Sequence, residues 1–308
     1  MKLLITDNLF IFQEHEEKLK EMGFEIERLD TPQATENELI EALQGKDAYI
    51  LGGIEKVTEK IINSTDTLKM IAFTGTDWRQ FIPGHELATK KGIAITNAPG
   101  ANARAVAEYT LTAILAMTRN LQDLTRMGDK SFETTGSLYS QTVGIVGLGN
   151  IGEQLARLLQ PFNVNLIYYS RNRKENLESE LGLQYVDLET LLAQSDIVSL
   201  HVSKEVGDEF IDREKLSYMK DGALLVNCGF TGIINKDDLF NELETGRLRA
   251  FQDDPMDERF DTLPFHIWLN SNAHTAYNTH DANMRASDMT VTSIKNLLES
   301  GTDECKVN

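Results

Sequence analysis

The chain has 308 residues, 41% of them hydrophobic, and its 30 basic against 48 acidic side chains leave a formal charge of −18. That length accommodates two domains with separate cores, and that charge repels nucleic acid and anionic membrane over the general surface. With no apolar run near the roughly 20 residues of a membrane span, no signal-peptide pattern in MKLLITDNLF, and only Cys228 and Cys305, a cytoplasmic location is expected.

Short β-rich runs alternate with segments of helical spacing from the first residue: KLLIT, FEIERL, AYILG, LKMIAF and GIAIT. Alternation of this kind means βαβ units and a parallel sheet, so a first doubly wound domain is expected to end near Asn97–Gly100. The stretch ARAVAEYTLTAILAMTRNLQ is apolar on most faces and reads as a helix packed between domains, followed by a polar loop over roughly Gly128 to Ser140. TVGIVG, VNLIYY, LQYV, DIVSLHV, GALLVNC, LRAFQ and HIWLN then supply the six or seven strands of a second doubly wound domain. A last helix, from about His280 to Glu299, has apolar positions at Met284, Met289, Val291, Ile294, Leu297 and Leu298 and is expected to return to the first domain. The fold class is therefore α/β, with two doubly wound parallel-sheet domains.

TVGIVGLGNIGEQLARLL places Gly147, Gly149 and Gly152 in the GxGxxG spacing between a strand and a helix. In that context Gly147 makes the tight turn, Gly149 lets a pyrophosphate approach the backbone, and Gly152 lets helix and strand pack closely. The helix opens at Asn150 and Ile151, where free N–H groups can meet the anion. Eighteen residues beyond Gly152, where an acid would accept bonds from the adenosine ribose, the chain has Ser170, followed by Arg171, Arg173 and Lys174. A carboxylate there repels a 2′-phosphate, whereas a hydroxyl and a guanidinium bind one, so NADP(H) is expected in preference to NAD(H).

KKGIAITNAPGANARAVAEYTLTAILAMTRN, TVGIVGLGNIG, SDIVSLHV and MKDGALLVN together resemble the D-isomer-specific 2-hydroxyacid dehydrogenase family, nearly end to end. IYYSRNRK is similar to the corresponding segment of its NADPH-preferring glyoxylate and hydroxypyruvate reductases. The resemblance implies a discontinuous, flavodoxin-like substrate domain of residues 1–101 with 280–308, a Rossmann cofactor domain of residues 102–279, an active cleft between them, and a homodimer. It also implies reduction of a small carbonyl compound or 2-oxo acid to its 2-hydroxy acid by hydride from nicotinamide. Because nicotinamide transfers hydride and not a proton, a separate acid is needed. In the family a histidine gives the proton, a glutamate orients and charges it, and an arginine binds the substrate carboxylate.

Carried across, the histidine is His274, in SNAHTAYNTH, which is similar to the family's PHIAYNT. His201, Cys228 and Asp254 fall beside the cofactor, and the glutamate falls near Glu258 or Arg259. The arginine position is occupied by Phe230 in LLVNCGFTG, and a phenyl ring cannot pair with a carboxylate. In the substrate loop FTGTDWRQF, Gly75, Thr76 and Asp77 face the substrate, and Asp77 stands where the family tends to have glycine. Phe230 and Asp77 suggest a less anionic ligand, with Arg79, Arg104 or Arg285 as possible sources of a relocated cation. The expectation is an NADP(H)-dependent oxidoreductase with an altered substrate site. The alternatives are a standard 2-oxo acid reductase with a relocated arginine and a dinucleotide-binding regulator without catalysis.

Overall fold

The computed structural model describes residues 1–6, 9–31, 33–126 and 134–308. The chain divides into two compact units, Met1–Asn102 with Asn278–Asn308, and Ala103–Tyr277. Each holds a wholly parallel sheet, which bears out the α/β class read from the alternating pattern.

In the first unit, β1 (Lys2–Thr6), β2 (Glu25–Leu29), β3 (Ala48–Leu51), β4 (Met70–Phe73) and β5 (Ala94–Thr96) pair in the order β2-β1-β3-β4-β5. Every residue of β3 and β4 is buried. Strands covered by helices on both faces need consecutive apolar residues, which is why AYIL and MIAF read as continuous runs and not as alternation. The helix His280–Ser300 belongs to this unit and sets Val291, Ile294 and Leu297 against Leu3, Ile5 and Ile50, whereas Leu298 is exposed. Beyond it, Lys306 bridges antiparallel to Thr96, the Val307 N–H donates to the Ile95 carbonyl at 2.9 Å, and Asn308 Oδ1 accepts from the Ile95 N–H at 2.7 Å. The last residues thus lie along the outer edge of β5.

In the second unit, β6 (Thr142–Val146), β7 (Asn165–Tyr169), β8 (Gln184–Tyr185), β9 (Ile197–Leu200), β10 (Leu224–Asn227), β11 (Arg249–Gln252) and β12 (Trp268–Asn270) pair in the order β12-β11-β10-β9-β6-β7-β8. The strand order reverses between β6 and β9, and in open α/β sheets ligands bind outside the carboxyl ends of the strands at such a reversal. The long apolar helix runs Ala103–Thr118, and Asn120, at φ 47°, ends it before the short helix Leu121–Arg126. Its Val106, Ala113, Ile114 and Met117 join the core formed with Val143, Ile145, Leu155 and Leu159. Of the polar loop expected from Gly128, the part up to residue 133 lies outside the described residues.

Candidate active site

The glycine loop connects β6 to the helix Asn150–Leu159. Gly147 has φ 99°, and a Cβ there would come within 2.5 Å of the His201 carbonyl oxygen. A Cβ on Gly152 would come within 2.2 Å of the Gly147 carbonyl oxygen, so this glycine allows helix and loop to touch. Gly149 differs: its backbone is ordinary extended chain at φ −90°, and a Cβ would meet nothing within 4 Å. Among the described residues no atom explains a glycine here, whereas an approaching pyrophosphate does. The residues thus fit a dinucleotide. Asn150 and Ile151 form the first turn, with their N–H groups at the helix start.

The loop opens on a cavity of about 320 Å³ whose lining includes Gly147, Gly149, Ser170, Arg171, Lys174 and His201. Arg171 lies 3.5 Å from Glu205, and both side chains are exposed. Arg173, grouped with Arg171 on sequence grounds, is held elsewhere: its Nε and Nη2 each donate to Glu178 at 2.8 Å, and Tyr168 adds a third bond to the same carboxylate at 2.7 Å. These bonds, the guanidinium first, hold the Glu178 carboxyl down to about 2. His201 sits beside the loop with Nε2 2.8 Å from the Ser199 hydroxyl, and burial pushes its imidazole down to about 4. It is a neutral group at physiological pH. Cys228 packs within the core, not along the cavity, where burial pushes the thiol up to about 12 beside the Thr110 hydroxyl.

The candidate acid stands further along the same carboxyl edge of the sheet. β11 runs directly into Asp253 and Asp254, and the chain returns past them after β12 at His274, whose φ of 43° is uncommon for a non-glycine residue. Asp253 is fully buried and accepts the Ala276 N–H at 2.9 Å and the Thr275 N–H at 3.4 Å, which pins the returning segment. His274 Nδ1 donates to the Asp253 carbonyl oxygen at 2.9 Å and lies 3.2 Å from Asp254 Oδ2. With Nδ1 held in this way, Nε2 is the nitrogen left to exchange a proton. The Asp254 carboxyl is raised above its ordinary value by burial, while the neighbouring imidazole works in the opposite sense. Glu258 is exposed and forms no ion pair with His274 among the described residues, and Arg259 is bound to Asp257 at 2.8 Å and Asp237 at 2.7 Å. The carboxylate nearest the histidine is therefore Asp254, with Asp253 Oδ2 further off at 3.9 Å, and Asp254 is a residue the sequence reading placed next to the cofactor.

Phe230 follows β10 and is half-buried. Its carbonyl accepts from Asn227 Nδ2 at 3.1 Å, and the same amide reaches Gln252 at 3.1 Å, tying the ends of β10 and β11 together. The Lys204 ammonium lies over its ring, 4.4 Å from the centroid. Of the arginines considered as substitutes, Arg104 pairs with Glu108 at 2.6 Å, Arg285 donates to the Ala101 carbonyl at 3.0 Å, and Arg79 stacks on Trp78 at 4.6 Å. In the first unit the Gly75 carbonyl accepts the Ala98 N–H at 2.9 Å, the Thr76 hydroxyl bonds the Ala98 carbonyl at 3.3 Å, and Asp77 is exposed. Asp253, Glu205 and Lys204 were not singled out from sequence. The one available signal was position, since each lies within a few residues of a strand's carboxyl end.

The reversed strand order and the glycine loop define a dinucleotide-binding fold. Residues 111–286 match the model of the D-isomer specific 2-hydroxyacid dehydrogenase, NAD binding domain. The chain belongs to this family. It is 30% identical to the D-3-phosphoglycerate dehydrogenase of Methanocaldococcus jannaschii over 323 residues, covering 100% of this chain and 59% of that protein. It is 33% identical to the glyoxylate reductase of Thermococcus litoralis over 263 residues, 77% of each chain. The crystal structure of a Thermus thermophilus protein superposes with a TM-score of 0.87 at 25% identity, covering 100% of both chains.

Proposed function

We propose that the protein is an NADP(H)-dependent oxidoreductase that reduces the carbonyl of a small 2-oxo acid or related compound, with residues 1–102 and 278–308 as the substrate domain and residues 103–277 as the cofactor domain. The observation that carries this reading is His274, with Nδ1 fixed by the Asp253 carbonyl and the Asp254 carboxylate and Nε2 left available. His274 is held at positive φ in a segment pinned by the buried Asp253, and such backbone, at a cost of about 1–3 kcal/mol, persists only where the surroundings over-determine it.

The bound cofactor supplies the hydride. His274 holds a proton on Nε2 and delivers it to the carbonyl oxygen as negative charge develops there, while Asp254 stabilises the imidazolium before transfer. The Gly149 backbone and the helix start at Asn150 and Ile151 take the pyrophosphate. Ser170 and Arg171 take the ribose and its 2′-phosphate, with Lys174 adding charge at the same cavity. The strongly acidic surface and the two buried, unpaired cysteines favour a small-molecule substrate and a cytoplasmic setting, in which we expect a homodimer.

The test is a titration with NADPH and NADH by cofactor fluorescence, followed by glyoxylate, hydroxypyruvate and pyruvate with each cofactor. Tight NADPH binding with oxidation on at least one acid is the expected result. NADPH that binds and stays reduced across a broad carbonyl panel overturns the enzymatic reading in favour of a dinucleotide-sensing protein.

A further inference from the structure

Lys204 opens the single-turn helix Lys204–Val206 that follows β9. Its Nζ lies 4.4 Å from the centroid of the Phe230 ring, inside the roughly 6 Å over which a ring face attracts an ammonium. The ring is itself seated. Gly232 leaves room for it, since a Cβ there would come within 2.5 Å of the ring's edge, and Asn227, fully buried, holds the Phe230 carbonyl. Glu205 reaches Arg171 at 3.5 Å, Asp208 lies beside Gly232 near the edge of the same ring, and among the described residues no carboxylate forms an ion pair with the Lys204 ammonium. An ammonium carries three N–H donors, so one turned to a ring still has others for an anion. β9 and β10 are neighbours, and β10 adjoins β11, which leads into the Asp253 and Asp254 that hold His274.

We propose that Lys204 binds the carboxylate of the substrate, with Phe230 as the seat that aims it. The cation that the family pattern supplies from the end of β10 would thus come from the end of β9. This rests on the hydride-transfer reading above and names the substrate class as a 2-oxo acid with a free carboxylate. A lysine offers a point charge and not a planar fork, so it fixes the anion's position without dictating the plane of its two oxygens.

The test uses oxamate, a non-reducible 2-oxo acid mimic, titrated into the protein–NADPH complex and read by the fluorescence of bound NADPH. Lys204→Met is expected to weaken oxamate about 10- to 100-fold, the range for losing a hydrogen bond to a charged group. NADPH affinity should stay within about threefold, and Lys204→Arg should recover most of the oxamate affinity by restoring the charge. Phe230→Leu, which keeps the apolar bulk and removes the ring face, should weaken oxamate by about threefold. Unchanged oxamate binding in Lys204→Met overturns the assignment while leaving turnover by the wild type standing. Parallel loss of NADPH and oxamate affinity also overturns it, because Lys204 then serves the cofactor. A wild type that binds NADPH but not oxamate and reduces another carbonyl compound overturns this proposal alone, whereas one that also reduces no member of a broad carbonyl panel overturns the proposed function with it.

Discussion

Arg171→Ala separates the two cofactors, and its magnitude can be worked from the geometry. Arg171 is 72% exposed, so a bond from its guanidinium to a 2′-phosphate is discounted toward the low end of the roughly 1.5–3 kcal/mol expected for hydrogen bonds to charged groups. Binding also displaces the 3.5 Å pairing with Glu205, an exposed contact worth about 0–1 kcal/mol. The net is about 0.5–2 kcal/mol, or roughly 2- to 30-fold in the dissociation constant of NADPH. NADH has no phosphate, so its affinity should move less than about twofold. Glu205→Gln should do the reverse, tightening NADPH by a few-fold because the guanidinium loses its competitor. Fluorescence titrations of the three proteins with both cofactors decide the matter. Equal weakening of NADPH and NADH by Arg171→Ala would show that the guanidinium does not read the phosphate.

The glycine loop makes opposite predictions at two positions: Gly149→Ala should melt like the wild type yet lose cofactor affinity by more than about tenfold, because its Cβ fills only the space a pyrophosphate needs. Gly152→Ala should instead lose about 1–3 kcal/mol of stability in denaturant titration, because its Cβ meets the Gly147 carbonyl oxygen. Asp254→Asn should lower kcat by about 10²-fold with substrate KM little changed, and Glu258→Gln should lower it far less; the reverse order in steady-state assays would return the role of charging His274 to Glu258. The Glu178 carboxyl is depressed from 4.5 to about 2, so the stability it contributes is present above 4.5 and lost as the pH falls toward 2. Thermal melts of Glu178→Gln should therefore fall below the wild type at pH 7, with the difference closing across that window.

Much of the fold was legible because a parallel sheet buried on both faces writes itself as short apolar runs, as AYIL and MIAF do, whereas the edge strands β2 (EIERL) and β8 (QY) carry polar residues and were read from the alternation around them. The glycine loop was legible for a related reason, since backbone that must pass within 2.5 Å of other backbone excludes a side chain. The end of the long helix was not, because Asn120 breaks it by adopting positive φ, which asparagine tolerates without requiring. Arg171 and Arg173 look alike in sequence. Their separation depends on Glu178 reaching back from the following helix, a pairing that only the turn's geometry reveals. The partner of His274 was hidden for another reason. Asp254 lies twenty residues earlier, and only the parallel pairing of β11 with β12 brings the two segments together. Cys228 faces the core because its side chain turns toward Thr110, a direction that residue type alone does not fix.

The antiparallel bridge of Lys306 to Thr96, with the flanking bonds to Ile95, bears on how the molecule behaves in a crowded solution. β5 is a short, mostly apolar strand at the rim of a sheet, the kind of bare ladder that recruits a strand from another molecule. Here the chain's own Lys306, Val307 and Asn308 occupy the ladder, and the arriving segment carries a lysine and an asparagine that discourage further stacking. Trimming these residues would leave the Ile95 N–H and carbonyl unmet at the rim. The cost would then appear in shelf life and concentration tolerance before it appeared in catalysis.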